Sequence, residues 1–327
     1  MAGSRPTIRD VAGAAGVSVA TVSHALNGKG RIDSRTRERI HQVAADLGYQ
    51  ADPRARALRT GAGNTLAIVA SLMSDESADR DSRLDWYMRT AVAAAAESLA
   101  QGYALTLVPP SDQQNWVQNL TVDGVLLVDP DPDDGLVTAL VDRGLPVVLI
   151  SGDTERQDVA TVSLDRGSAV ECAMSHFLAR GYTRPALIVD SSRRQTAAGT
   201  HRAFLDWCAR QGIPPRVGIA DAGDARVAAG HEAATDLLRR FPDTDCVYAP
   251  LDSIARGVSS ALTATGRSIA LITADGMIAR LSHPPLTAVD TKREEQAVAA
   301  TRLLISQIRT GTRPPSEVFH AELVVRD

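Results

Sequence analysis

Thr7-Ile-Arg-Asp-Val-Ala-Gly-Ala-Ala-Gly-Val-Ser-Val-Ala-Thr-Val-Ser-His-Ala-Leu-Asn-Gly28 is the stretch from which the fold can be read outward. Thr7 is placed to cap a helix, and Asp10 puts a negative charge in its first turn, where the helix dipole favours one. Ile8, Val11, Ala12 and Ala15 then recur at helical spacing and form one apolar face. Gly16-Val17 interrupts that pattern, and Ser18 can cap a second helix running to about Leu26. Val17, Val22 and Leu26 would pack back on the first helix, leaving Val19, Ala20, Ser23 and His24 outward. Two short helices joined by a tight glycine-containing turn make a helix-turn-helix unit. A third helix is expected from Asp33-Ser34, burying Ile40, Val43, Ala44 and Leu47 and ending at Gly48. Three such helices bury little area, so the unit is marginally stable.

Asp52-Pro53 breaks the pattern, and Arg54 to Thr60 is only about two turns long, too short to be helical alone in water. Gly61-Ala62-Gly63 is a flexible joint; its G-x-G precedes a strand rather than opening a helix, so it does not read as a phosphate loop. From Leu66 onward apolar runs alternate with amphipathic segments. The strand-like runs are Leu66–Ala70, Ala104–Val108, Gly124–Val128, Pro146–Ile150, Ala186–Val189, Cys246–Ala249 and Ile269–Thr273. Helical patterns lie between them at Tyr87–Ala100, Gly135–Arg143, Ala169–Arg180, Thr200–Gln211 and Ala228–Arg239. Repeated β-α alternation with continuously apolar strands predicts an α/β fold: two doubly wound subdomains with parallel sheets covered on both faces. Ligands are expected at the carboxyl ends of their strands.

The chain of 327 residues carries a net charge of -4, unevenly divided. Residues 1–60 hold ten Lys+Arg against five Asp+Glu, whereas the remainder holds 25 against 34. A basic head on an acidic body points to a polyanionic partner for the head alone. Cys172, Cys208 and Cys246 are too far apart for a zinc site and odd in number, which fits three buried thiols in a reducing compartment. No apolar leader follows the start and no run approaches membrane-spanning length, so a cytoplasmic protein without a membrane role is expected. No metal or cofactor motif is present. H-E-x-x-H, H-x-x-E-H, G-x-S-x-G and the P-loop are all absent, which argues against an enzyme.

The quoted stretch, with T-R-E-R-I from Thr36, L-G-Y at Leu47 and A-R-A-L at Ala55, resembles the LacI/GalR family of bacterial transcription regulators. The likeness continues through V-D-G-V-L-L at Val122, R-G-L-P-V-V-L-I at Arg143, A-R-G-Y at Ala179 and P-P-L-T at Pro284. It implies a helix-turn-helix DNA-binding domain at 1–50, a hinge helix and linker at 51–63, and an effector-binding and dimerisation domain at 64–327. The last would be periplasmic-binding-protein-like, with one subdomain at about 64–163 plus 291–320 and another at about 164–290 plus 321–327. The implied partners are double-stranded DNA carrying a palindromic operator, a second copy of the chain and a small-molecule effector. The chain ends at Asp327 without a heptad extension, which favours a dimer.

The resemblance also assigns residues. Val19, Ala20 and His24 align with base-reading positions: His24 can donate to guanine N7 or O6, whereas Val19 and Ala20 can make only apolar contacts such as with a thymine methyl. Ser18, Thr21 and Ser23 match positions that meet backbone phosphates, which fix register without reading sequence, and Thr21 equally suits a helix-stabilising role. Arg54 and Arg56, by their charge, suit backbone electrostatics, and with Thr7 they complete the expected DNA-contacting set. Leu58 matches a minor-groove wedge, whose insertion unstacks a base step and bends the duplex. A hinge that orders only against DNA and its partner copy is an order–disorder element through which an effector can act.

For the effector, Asp275 in T-A-D-G matches an aspartate that accepts hydrogen bonds from hydroxyl or amine groups. Trp86, in D-W-Y-M, falls where relatives usually place a Phe near the ligand, and it can stack on a ring. Ser71, Ser151 and Arg194 are further candidates. Three positions depart from the pattern: Leu251 replaces an asparagine, Thr196 stands where an arginine commonly meets ligand, and Val128 occupies an often polar position. Asp252 reads as a cap for the helix that follows it. These departures leave the effector open as a sugar, another metabolite or none. The leading function is a homodimeric repressor under effector control. The alternatives are an effector-independent repressor or activator and, more remotely, a solute-binding protein with no role on DNA.

Overall fold

The first unit of the chain, Met1–Asn64, is built on α1 (Ile8–Ala15), α2 (Val19–Leu26) and α3 (Ser34–Asp46). The computed structural model describes residues 6–26, 32–49, 63–70, 80–108, 116–131, 135–221 and 226–326, with backbone only at 70, 80–86, 226 and 277. Arg54, Arg56, Leu58 and Ser71 therefore lie outside the described residues, as does the side chain of Trp86.

Val11, Ala12, Ala15, Val22, Ala25, Ile40 and Ala44 make the core where the three helices meet. Both Thr7 donors are held by one carboxylate, the Thr7 amide and its Oγ1 each donating to Asp10 Oδ2 at 2.7 Å. Those bonds hold the Asp10 carboxyl below its ordinary range, because they favour the ionised form over the neutral one. Gly16 ends α1 at φ +64°, a left-handed conformation that a side chain disfavours. The Asp33 carboxylate accepts from the Thr36 amide at 2.9 Å and caps α3. Leu47 departs from the sequence reading: it is 40% exposed. The helix stops one residue earlier and the chain turns at Gly48, so that the Tyr49 amide donates back to Ala44 O at 2.8 Å and Tyr49 joins the core instead.

The second unit, Thr65–Asp327, begins with β1 (Thr65–Ala70), α4 (Arg80–Ala100), β2 (Ala104–Val108), α5 (Trp116–Asn119), β3 (Gly124–Val128), α6 (Leu136–Asp142) and β4 (Val147–Ile150). It continues with β5 (Ala160–Leu164), α7 (Arg166–Ala179), β6 (Pro185–Asp190), a π-helical turn (Gln195–Gly199), α8 (Thr200–Gln211) and β7 (Val217–Ala220). Then come α9 (Arg226–Arg240), β8 (Cys246–Ala249), α10 (Asp252–Ala264), β9 (Ala270–Ala274) and α11 (Met277–Leu281). The last elements are β10 (Ala288–Asp290), α12 (Arg293–Thr310), β11 (Glu317–Phe319) and β12 (Glu322–Val324).

These strands form two six-stranded sheets, β11-β5-β4-β3-β1-β2 and β12-β10-β9-β8-β6-β7. Every pairing is parallel except β10 with β12. Both faces of the inner strands are buried, as parallel sheets require. In the first sheet, Leu66, Ile68, Leu126 and Val148 face Ala91 of α4 and Ala300 and Leu304 of α12. Their strand neighbours Ala67, Val69, Val125 and Leu149 pack on the other face with Leu140 of α6. The second sheet is covered the same way, by Phe177, Phe204 and Trp207 on one side and by Leu237, Ile254 and Val258 on the other. Each buried Val, Leu, Ile or Phe among them contributes about 1.5–3 kcal/mol when removed from water.

The seven runs read from the sequence all contain strands, and five further strands appear: β5, β7, β10, β11 and β12. They are short or half-covered. In β5, Thr161 and Ser163 alternate with the buried Ala160, Val162 and Leu164, and β7 is only Val-Gly-Ile-Ala. Of the cysteines, Cys208 and Cys246 are buried but Cys172 is only half-buried. The chain passes between the sheets three times, after β5, after β10 and after β11. The crossings brace one another: the Asp165 amide donates to Phe319 O at 2.8 Å and the Ala321 amide to Ser168 Oγ at 2.9 Å. Lys292 pairs with Asp290 and Glu322.

Candidate functional site

Two surfaces qualify, one on each unit. On the first unit α2 buries Val22 and Ala25, so the 3.6-residue period turns its other residues outward. Val19, Ala20 and His24 are exposed on that side and Ser23 is half-buried beside them. Val19 is 42% exposed although it is apolar and one turn from the core. Ser18 Oγ lies 2.8 Å from Thr21 Oγ1 and accepts from the Thr21 amide at 3.1 Å. These hydroxyls therefore close the first turn of α2, the capping role open to Thr21 from the sequence, and Thr7 is likewise engaged in the cap of α1.

On the second unit the carboxyl ends of the two sheets face each other across a cleft. Asp129 follows β3 at φ +44° and is 3% exposed, while Asp190 ends β6 at 5% exposure. Around them are Arg166, at the start of α7, and the segment Arg194-Gln195-Thr196. Three consecutive side chains of that segment reach other elements. Arg194 donates through Nη1 to Asp129 O at 2.7 Å and lies 3.8 Å from the Asp131 carboxylate. Gln195 donates to Asp153 Oδ2 at 3.1 Å, and Thr196 Oγ1 accepts from Arg166 Nη2 at 3.3 Å. Arg194 and Gln195 follow a strand of the second sheet, whereas their partners follow strands of the first. The cleft is thus bridged by the chain's own groups.

Burial pushes the Asp129 carboxyl up to about 6, against the pull of Arg166, Arg194 and the Thr196 hydroxyl, and Asp190 adds to the rise. The same burial lowers the Arg166 guanidinium from its ordinary value, with Asp129 opposing. Beside this cluster is a cavity of about 150 Å³ lined by Ser151, Gly152, Asp153, Thr161, Ser163, Leu164, Arg166 and Gln195. Its hydroxyls, amide and charged ends suit a hydrogen-bonding solute rather than an apolar one. Ser151, at φ +58°, donates to Gln296 Oε1 at 3.3 Å.

The structure gathers three of the sequence-derived effector residues, Ser151, Arg194 and Thr196, around this cluster. Val128 does not join them: it is fully buried in the core of the first sheet, and its neighbour Asp129 faces the cleft instead. Leu251 sits at the cap of α10 and packs on the second sheet's core. Asp252 is not the cap read from the sequence but the first residue of α10. Its carboxylate lies so close to Gly276 that a Cβ there would overlap it, which explains the glycine of T-A-D-G.

Asp275 is committed within the second sheet's subdomain. Arg280 holds one carboxylate oxygen at 2.8 Å and Arg326 holds the other. Burial raises its pKa, but the bonds from these two arginines outweigh it and hold the carboxyl below its ordinary range. Its carbonyl accepts from Arg89 Nη1 of α4 at 2.7 Å, a second bridge between the subdomains, and Arg89 also pairs with Glu294 at 2.6 Å. Asp129, Asp190, Arg166, Gln195 and Arg89 escaped the sequence reading. For the two aspartates a signal was available, since each directly follows or ends a wholly apolar strand at its carboxyl end. Among the described residues no group of His, Cys, Asp and Glu is arranged to hold a metal, and no helix is long and apolar enough to cross a membrane.

Residues 7–52 match the family described as bacterial regulatory proteins, lacI family, and residues 174–327 match the periplasmic binding protein-like domain. The chain is 28% identical over 341 residues to the HTH-type transcriptional regulator CelR of Thermobifida fusca, covering 99% of this chain and 98% of the relative. It is 30% identical over 273 residues to the maltose regulon regulatory protein MalI of Escherichia coli K12, covering 80% and 76%. A solved complex of the transcriptional regulator CelR with cellobiose superposes with a TM-score of 0.72 at 25% identity, over 98% of this chain and 99% of that one. These relatives are regulators rather than enzymes. With an exposed second helix in its first unit, two parallel-sheet subdomains in its second and these likenesses along its length, the chain belongs to the lacI family of bacterial regulatory proteins.

Proposed function

We propose that the protein is a sequence-specific DNA-binding transcriptional repressor that works as a homodimer on a palindromic operator, in the cytoplasm and on the nucleoid. Residues 1–50 bind DNA, 51–63 connect, and 64–327 hold the partner copy and a small-molecule effector in the cleft. One subdomain takes about 64–163 and 291–320, the other about 164–290 and 321–327. The observation that carries the reading is the outward face of α2, where Val19, Ala20 and His24 are exposed and play no part in the core. Side chains so placed enter a major groove with their N-terminal end against base edges. Ser18, Thr21, Ser23 and Thr7 would meet the phosphates, and Arg54, Arg56 and Leu58 would complete the contacts through the hinge. The test is binding of the full chain to a palindrome from its own upstream region, against a scrambled duplex, over a salt series. A repressor prefers the palindrome by at least about 10³-fold; equal affinities refute the reading.

A second reading, an effector-independent repressor, is favoured by one observation: the chain's own Arg194, Gln195 and Arg89 join the two subdomains. Thermal-shift screening with sugars, nucleobases and amino acids separates the two, because a ligand of the folded state raises its melting temperature. A hit whose affinity falls on Ser151→Ala or Thr196→Ala supports effector control through this cleft, while affinity untouched by those changes, or by Asp275→Ala, removes these residues from the binding set.

A further inference from the structure

We propose that the cleft takes a small zwitterion, an amino acid whose carboxylate pairs with Arg166 of one subdomain and whose ammonium group pairs with Asp153 of the other. The inference rests on the effector reading above and names the chemical class of that effector. The cavity of about 150 Å³ carries one charge of each sign on its wall, Arg166 from the second subdomain and Asp153 from the first. Gln195 spans the same gap, its amide donating to Asp153 Oδ2 at 3.1 Å. The other polar side chains of the wall are the hydroxyls of Ser151, Thr161 and Ser163. The last two stand on the polar side of β5, so that strand's alternation has a use: its apolar residues seal the sheet while its hydroxyls line the cavity.

Size, stacking and charge narrow the ligand in turn. A cavity of this volume takes a ligand of roughly one benzene ring, which admits a small amino acid and excludes a disaccharide. Pyranoses and nucleobases present flat faces suited to an aromatic ring. Among the described residues lining the cavity, the only apolar side chain is Leu164. Charge decides the rest. Among the described residues the Arg166 guanidinium makes one hydrogen bond, from Nη2 to Thr196 Oγ1 at 3.3 Å, although it carries five N–H donors. A carboxylate fits that fork with two charge-assisted bonds, each roughly twice as strong as a neutral solute could make. A simple anion, however, would also meet Asp153, whose charge repels it. Asp129 opposes the guanidinium from outside the cavity wall, which further favours a ligand of no net charge. A zwitterion satisfies both ends at once. So held, it would bind one subdomain through each of its charges and favour the closed cleft.

The experiment screens the full-length protein by thermal shift against the proteinogenic amino acids, simple sugars and nucleobases, then titrates the hits by calorimetry. A small amino acid should bind. Its methyl ester, which lacks the carboxylate, and the matching hydroxy acid, which lacks the ammonium group, should each bind roughly 10- to 100-fold more weakly. Asp153 is exposed, and asparagine keeps an oxygen for the Thr154 amide that Asp153 now holds. Asp153→Asn should therefore weaken the amino acid by a similar factor while leaving the hydroxy acid unchanged. Arg166→Gln should do the converse, weakening the amino acid and leaving the ester unchanged; if that variant does not fold, the Asp153→Asn arm decides. A sugar or nucleobase that binds when no amino acid does, an amino acid that binds no better than its ester or hydroxy acid, or an affinity untouched by Asp153→Asn overturns the proposal and leaves effector control standing. Failure of all three classes to bind removes the effector reading itself, and the proposal with it.

Discussion

The outer face of α2 and the cleft of the second unit are both functional surfaces, yet they are made in opposite ways. On α2, Val19, Ala20 and His24 do nothing for the fold; a local period of 3.6 residues places them, and the core is built without them. In the cleft the polar groups are structural members. Arg194 reaches 65 positions along the chain to Asp129, and Arg89 reaches 186 positions to Asp275. A surface of the first kind can change specificity without touching stability. One of the second kind can change neither alone, since its residues hold the two subdomains together.

The contrast can be tested by substitution, starting where the effect is largest. His24→Ala should weaken specific operator binding about 10- to 100-fold while leaving the melting temperature of the protein within a degree, measured by anisotropy and calorimetry. A matching loss of stability would show α2 to be structural after all. Arg194→Ala should do the reverse in kind, lowering the melting temperature of the second unit by roughly 3–8 °C, because a charge-assisted bridge to a buried acceptor is lost. It should also widen the cleft in small-angle scattering.

Asp129→Asn should raise the melting temperature by roughly 2–5 °C at pH 7.5. The folded Asp129 carboxyl titrates near 6, above its ordinary 3.8. Below pH 3.8 both states are protonated and the substitution should be silent. As pH rises from 3.8 to 6 the unfolded chain ionises first and the native protein loses stability, so the gap should open across that window and stay constant above it. A gap independent of pH would remove the assignment. The smallest effect is expected from Asp10→Ala, which frees the Thr7 donors and should lower the melting of the head by roughly 1–2 °C with the cleft unchanged. Since the native carboxyl lies below its ordinary range, that contribution should be present at neutral pH and vanish as pH falls through the native value.

The same contrast accounts for what the sequence made legible. The head could be read almost to the residue because caps, the Gly16 turn and apolar spacing are local signals. The seven apolar strand runs were legible for the same reason. β5 and β7 were not, because Thr161 and Ser163 lie on a half-covered face and a glycine interrupts Val217–Ala220. The cleft was read one residue out of place at Val128. The alternation of a strand sends that side chain into the core, and the left-handed turn at Asp129 delivers the next one to the cleft. Asp275 could be singled out in the sequence but its arginine partners could not, since nothing near it in the chain announces Arg326.

The three passages between the sheets have a consequence for how the molecule is made. Strand β11 completes the edge of a sheet whose other five strands lie before residue 165, and α12 lies across that sheet's inner face. A ribosome releases those five strands long before either closing piece exists. The subdomain translated first must wait for residues 293–319 before its core is sealed, and until then Leu126, Val148 and their neighbours lack the cover of α12.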